Sequence, residues 1–413
     1  MADEVVQVTE EGYGQRLVQS LGAAVVGIGL FFGSFLVLWW NEGNVVAEKG
    51  ALSEMQSKAV AGNAKAPKPG HNGKLIHAVA ELKGSPLGDE LLVAGDYLVL
   101  ERTVEMFQWI EKKKSESQGN NKTKTTYSYE KGWDSGRNDS SKFAEPRGHS
   151  NPEPAVKDKR ATTRKASFGA FDGLPLLEQL SPTVAVPLTP KMLKAKTIDG
   201  LKATIEGGYV MLRRGGPGAP AIGDLRLRYR ALKPGTFSAV GLQASKTKLA
   251  AYAAANGKSK LIVQAGRQPL ARMIELEKQA ASGVAMVLRV VGFFMMWFGL
   301  SLVTGPLSAL VSFLPFLGSA SRMVLGVAAF GVAAVLSTVT IVLGMIAHHP
   351  VVLVVVLAAC AGGFFLLRAQ RKRQQAQAPA PAPAPPEEQQ QPGQVTSAAT
   401  ALSQHMAGIR QVG

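Results

Sequence analysis

Residues 17–40 read LVQSLGAAVVGIGLFFGSFLVLWW, twenty-four positions without a charge, followed by Asn41-Glu42-Gly43. An α-helix rises about 1.5 Å per residue, so about twenty apolar residues cross a hydrocarbon layer about 30 Å thick. The run is long enough to span with some tilt. Trp39 and Trp40 close it, and indole rings settle at headgroup level. A helix buried in a soluble core usually keeps a polar face, and this one has none. The reading is a membrane protein, with 17–40 as its first transmembrane helix.

The leader 1–16 is acidic and carries a single basic residue, Arg16. The apolar run exceeds a signal peptide's h-region and no small-residue cleavage site closely follows it, so a retained anchor is expected. Inside the run small residues recur four apart, Ala23 with Gly27 and Gly29 with Gly33. That spacing lets two helix backbones approach closely, and both intrachain packing and dimerisation fit it.

Three further apolar blocks lie near the C-terminus, and transmembrane helices are expected at 290–312, 323–347 and 351–367. Pro306 and Pro315 interrupt the block that begins at Val290, and His348-His349-Pro350 separates the last two spans. Arg289 stands where its guanidinium can snorkel to the interface. Arg368, Arg371, Lys372 and Arg373 follow the fourth block, and the positive-inside rule assigns them to the cytoplasm. Four crossings then put the leader there too and place 42–282 outside. The expected fold is an α+β membrane protein: four transmembrane helices, one N-terminal and three C-terminal, plus a large extramembrane β-rich domain. After the basic cluster, 368–413 turns Ala/Pro/Gln-rich, a composition that favours a disordered, extended tail.

The chain's net charge is +16 over 413 residues. Segment 42–282 holds 38 Lys and Arg against 24 Asp and Glu, so a basic body beside a bilayer is expected. It faces either anionic headgroups or solvent alone. Its opening reads as a short helix and then a Pro/Gly loop. LIHAVAEL and YLVLERTVEMFQWIE are rich in β-formers. In the second, Leu98, Leu100, Val104, Met106 and Ile110 share one face at period two, and Arg102 interrupts the stripe. KKKSESQGNNKTKT reads as a hairpin tip or loop and TTYSYEKGW as a strand; 134–165 reads as an extended connection. FGAFDGLPLLEQLSP reads as a helix. LKATIEG, YVMLRR, DLRLRYRAL, TFSAVGL and SKLIVQA follow as strands of a largely antiparallel sheet, and 267–282 as a helix entering the membrane.

Taken together, GQRLVQSLGAAVVG, WWNEG, GKLIHAVAELK, VEMFQWIE, YSYEKGW, GHSNP, IGDLRLRY and the final LP and HHP array resemble the LUMA family (transmembrane protein 43). The resemblance runs in register from about residue 12 to 367. It implies four spans, a large lumenal domain, internal membranes in eukaryotes, self-association and membrane-protein partners. It implies no catalytic residue. The tail composition and the absence of a retention signal suggest a bacterial member, in whose inner membrane the large domain would be periplasmic.

The six histidines show no metal-ligand spacing, and no nucleophile elbow, P-loop or dinucleotide fingerprint stands in its required context. Neither metal nor cofactor is expected. The lone Cys360 excludes a disulfide framework and reads as a small hydrophobe. Arg226, Arg228 and Arg230 fall on one strand face opposite Leu225, Leu227 and Tyr229. They are candidates for lipid phosphate or an acidic partner, or simply a solvated outer face. Asn41 and Glu42 are either an interfacial cap or a polar contact to the body or a neighbour. With Trp39, Trp40, Arg289 and Arg368 they form the candidate membrane interface. Mid-membrane charge, which transporters use, is missing. The expected function is a non-enzymatic scaffold that self-associates and organises membrane proteins or lipids, anionic ones among them. An oligomeric channel or channel-accessory subunit is the alternative, and nucleic acid is not an expected partner.

Overall fold

The structure, a computed structural model, describes residues 3–10, 13–117, 122–215, 218–304, 320–349, 353–355, 358, 362 and 368. Contacts divide the chain into Met1–Leu353 and Val354–Gly413. In the second, Val354, Val355, Ala358, Gly362 and Arg368 are helical, and Arg368 is exposed.

The first helix, α1, runs Tyr13–Lys58 without a break. Asn41-Glu42-Gly43 therefore does not end it, and the interfacial-cap reading is corrected. Loss of apolarity marks where lipid ends, not where the hydrogen-bond ladder ends. Residues 44–58 continue with good helix formers, and Leu52 and Met55, three apart and both fully buried, supply an apolar stripe. A single turn, α2 (Leu174–Leu177), stands where a longer helix was read. Pro175 in its first turn fits a helix start, and Ser181-Pro182 follows closely. α3 spans Leu270–Val303 and α4 Ala320–His348. Among the described residues three helices are thus long and apolar enough to cross a membrane: Leu21–Lys58, Leu270–Val303 and Val324–His348. Most of 351–367, the prolines at 306 and 315, Cys360 and the tail lie outside the described residues.

Among the described residues two large sheets build the body, beside a two-stranded ribbon of Tyr252–Ala253 and Ser259–Lys260. The longer strands are β1 (Asp3–Glu10), β2 (Leu75–Gly84), β3 (Val99–Ser117), β4 (Lys122–Ser135), β5 (Lys159–Thr162), β6 (Leu201–Glu206), β7 (Tyr209–Arg213), β8 (Leu225–Leu232), β9 (Gly235–Gln243) and β10 (Ile262–Ala265). The larger sheet runs β1-β4-β3-β8-β7-β6, then Thr197–Ile198, with β5 beside β3. The second centres on β9 and β2, with β10 on β9. Two tight turns set the register of β6. Asp199-Gly200 has φ of 47° and 75°, and Gly207-Gly208 has 58° and 81°. Positive φ at both central residues is what a type I′ hairpin requires.

Arg102 does not break the β3 stripe. Leu100, Arg102, Val104, Met106 and Gln108 are all buried on that face. The predicted polar excursion is the far end of the β3–β4 hairpin, and 118–121 lie outside the described residues.

The leader also differs from its reading. Residues 3–10, expected alone across the membrane, pair antiparallel with β4, from Asp3↔Tyr129 to Glu10↔Lys122. EVVQVTE is rich in Val and Thr, a strand signal hidden behind its acidic charge.

Leu52 and Met55 of α1 pack with Met273 and Ile274 of α3 against Leu75, Val240 and Ile262 of the second sheet. This joint fixes both helices to the body.

Candidate functional site

Below that joint, α1, α3 and α4 converge on one polar node. Glu42 is 2% exposed at its side chain and grips Arg289 at two points. Arg289 donates through Nε to Oε1 at 2.7 Å and through Nη2 to Oε2 at 2.7 Å. Two parallel bonds between planar groups are the strongest arrangement available to this pair. Asn41, also buried, donates through Nδ2 to the Ala285 carbonyl at 3.2 Å. Removing polar groups from water is costly unless each finds a partner, and here each does.

Glycines make the convergence possible. A Cβ on Gly344 of α4 would lie 3.1 Å from the Glu42 side chain, and one on Gly43 would lie 2.7 Å from His348 Nε2. The His348 ring stands 5.2 Å from that of Trp39, and its Nδ1 is 2.8 Å from the Gly344 carbonyl. Trp39 and Trp40 are exposed at the same level.

Deeper in the bundle, Gly27 meets Gly299: a Cβ on either would come within 2.7 Å of backbone on the other helix. Gly292 takes Leu38 in the same way. Gly33 touches only the Met295 methyl, at 3.8 Å, Ala23 is half-buried, and Gly29 is exposed with nothing within 4 Å. Of the four small residues singled out, Gly27 alone makes a backbone-close crossing. Its partner Gly299, and Gly292 under the Leu38 side chain, escaped notice because they are seven apart, not four. Trp297 Nε1 donates to the Gly326 carbonyl at 3.1 Å and ties α3 to α4.

The arginine face lies on β8. Leu225, Leu227 and Tyr229 are buried and Arg228 and Arg230 exposed, as the alternation requires. Arg226 is engaged by Glu105 and lies 4.9 Å over the Trp133 ring. Arg228 hydrogen-bonds the Tyr209 hydroxyl, and Arg230 reaches the Thr183 carbonyl at 3.4 Å. Glu101 stands opposite Arg230 on β3. The face is cationic but partly neutralised.

On the other face of β3, Arg102 binds Asp89 at 2.8 Å and Glu90 at 2.7 Å. Tyr229 donates to Asp89 at 2.9 Å. Burial opposes charge on Glu90, but hydrogen bonds from Lys159 and Arg102 overcome it and hold the carboxyl down at about 2. Burial, with Asp89 alongside, pushes the Tyr229 hydroxyl up. The sequence carried no sign of this cluster, since Asp89 and Glu90 arrive from an irregular segment. Among the described residues no three His, Cys, Asp or Glu form a metal-binding group.

Against known proteins, the family model described as Transmembrane protein 43 matches residues 106–350. Transmembrane protein 43 of Mus musculus is 28% identical over 371 residues, 84% of this chain and 90% of that protein. The Homo sapiens protein is 27% identical over 83% of this chain and 88% of its own length. A Drosophila melanogaster homolog is 26% identical over 71% and 80%. No solved structure matches. The family model covers most of β3, all of β4, the arginine face, α3 and α4, and the relatives extend the match over most of the chain; the chain is a multi-pass membrane protein and belongs to the transmembrane protein 43 family.

Proposed function

We propose that this protein is a non-enzymatic membrane scaffold whose helices hold a β-rich body rigidly against one membrane face. The body then self-associates or gathers membrane proteins and lipids. The observation that supports this reading most is continuity. α1 and α3 pass from their apolar windows into the body without a hinge, locked by Glu42–Arg289 below and by Leu52, Met55, Met273 and Ile274 above. A body carried this way keeps one attitude to the bilayer. The acidic groups around its recess of about 360 Å³ serve the fold: Asp158 accepts from the Val104 amide at 2.7 Å and Glu153 pairs with Arg137 at 3.1 Å.

The orientation proposed has four crossings, with 351–367 as the fourth. Both termini are cytoplasmic and the body lies outside, in a bacterial inner membrane. The β1–β4 pairing competes with this. At about 1.5 Å per residue, Tyr13 and Asn41 lie about 42 Å apart along α1. A hairpin reaching from the body to the leader would run the depth of the hydrocarbon with polar strands facing lipid, which bilayers do not tolerate. Lys112, Lys113, Lys114, Lys122 and Lys124 would cost more than about 10 kcal/mol there. The cross-strand pairs return about 0.2–1 kcal/mol each. The span wins, and in a bilayer the leader leaves the hairpin for the opposite face.

Chemical crosslinking with size measurement of the detergent-extracted protein tests the scaffold. Discrete oligomers that weaken when Arg226, Arg228 and Arg230 are replaced by Glu are expected. A strictly monomeric species that binds no anionic vesicle contradicts the reading.

A further inference from the structure

Just above the Glu42–Arg289 node a groove of about 290 Å³ opens between α1 and α3. Its floor is apolar, with Val45, Ala281 and Val284. Its rim is charged and balanced. Lys258 lies 3.2 Å from Glu48, and Lys260 lies 2.9 Å from Glu48 and 3.9 Å from Glu277. Asn44 accepts from Lys258 at 2.6 Å. The groove is one to two turns beyond Trp39 and Trp40, and so at headgroup depth. On its membrane side α3 continues with exposed Val284, Val287 and Val291 on one face. A second recess of about 550 Å³ shares Glu48, Lys260 and Glu277.

We propose that this groove binds the headgroup of a zwitterionic phospholipid. The rim offers the Lys260 ammonium and the Glu48 and Glu277 carboxylates, and Lys258 stands beside it on Glu48 and Asn44, all four charges part-exposed. That pattern matches a ligand carrying one phosphate and one cationic amine. Phosphate lies against Lys260, the amine against Glu277, and an acyl chain follows Val284 and Val287 into the hydrocarbon. Charge-assisted bonds of both signs are then formed at once. A purely anionic headgroup would draw Lys260 from Glu277, already its longest pair at 3.9 Å, and bring no amine in its place, and a free phosphate compound would leave the apolar floor uncovered. The inference needs α1 and α3 to span a bilayer but does not need the scaffold. Its failure would leave self-association standing, and the reverse also holds.

The test uses full-length protein in nanodiscs of equal phosphatidylethanolamine and phosphatidylglycerol, with retained lipid counted by native mass spectrometry. Phosphatidylethanolamine is expected to be retained over phosphatidylglycerol, with Glu277→Gln lowering the preference about fivefold by removing one charge-assisted bond. Glu277 makes only the longest pair of the rim, so the fold tolerates its neutralisation. Val284→Trp, at an exposed position, fills the groove without touching any charge and should release the lipid. Equal or greater retention of phosphatidylglycerol overturns the proposal, as does retention unchanged in both variants. Soluble phosphoethanolamine competing as well as the lipid would also overturn it.

Discussion

Arg102 shows how much one side chain carries. It is almost fully buried, and its guanidinium also donates to the Lys157 carbonyl at 2.8 Å. Arg102→Ala would strand Asp89, 3% exposed, in the body's core. Breaking such a pair from one side costs about 3–5 kcal/mol, a loss that thermal unfolding should register. From sequence, Arg102 looks like a flaw in an apolar stripe, because its partners sit on a loop twelve and thirteen residues earlier with no periodicity. Glu90 beside it predicts a pH effect. Its folded carboxyl lies near 2, below the free value of 4.5. Its stabilisation is complete above about pH 4.5 and is lost as pH falls toward 2. Glu90→Gln should lower stability at neutral pH, where that contribution is present in full, and flatten this part of the acid-unfolding curve, the two proteins converging near pH 2. Glu42→Gln leaves Arg289 with one acceptor oxygen and no charge partner. With Arg289 about a third exposed, about 2–3 kcal/mol is expected. A Glu42→Arg, Arg289→Glu exchange should recover part of it in a double-mutant cycle.

At the scale of elements, the strands from β2 to β10 other than β5 were legible because one face of each meets a core and period two survives in the residues; β5, with none of its four residues buried, lies in the segment read as an extended connection. Val99–Ser117 and Leu225–Leu232 lie within or beside the segments read. What the sequence hid were ends and crossings. α1 outlasts its apolar run by eighteen residues, to Lys58, since helix propensity does not change at a membrane surface. The α1–α3 crossing depends on Gly27 and Gly299 together, a relation between segments far apart in the chain. Gly299→Val should push α3 off α1, since its Cβ would meet Phe31 backbone at 2.7 Å. A drop of about 2–3 kcal/mol, from overpacking, is expected in detergent melts. Gly29→Val, with open space around it, should leave the melt unchanged and weaken only contacts between copies.

At the largest scale the first unit is a bundle and a body joined by two continuous helices, and the proposed topology has α1 separate the leader from that body. Val8 and Lys124 are cross-strand partners in the structure, close enough for a disulfide if the pairing persists. Val8→Cys with Lys124→Cys, in a Cys360→Ser background, therefore reports directly on membranes isolated without detergent. The account predicts no crosslink under oxidation, with position 124 reached by impermeant thiol reagent from outside and position 8 reached only once the inner face is opened. A disulfide formed in intact membranes, or both positions labelled from one side, would contradict it.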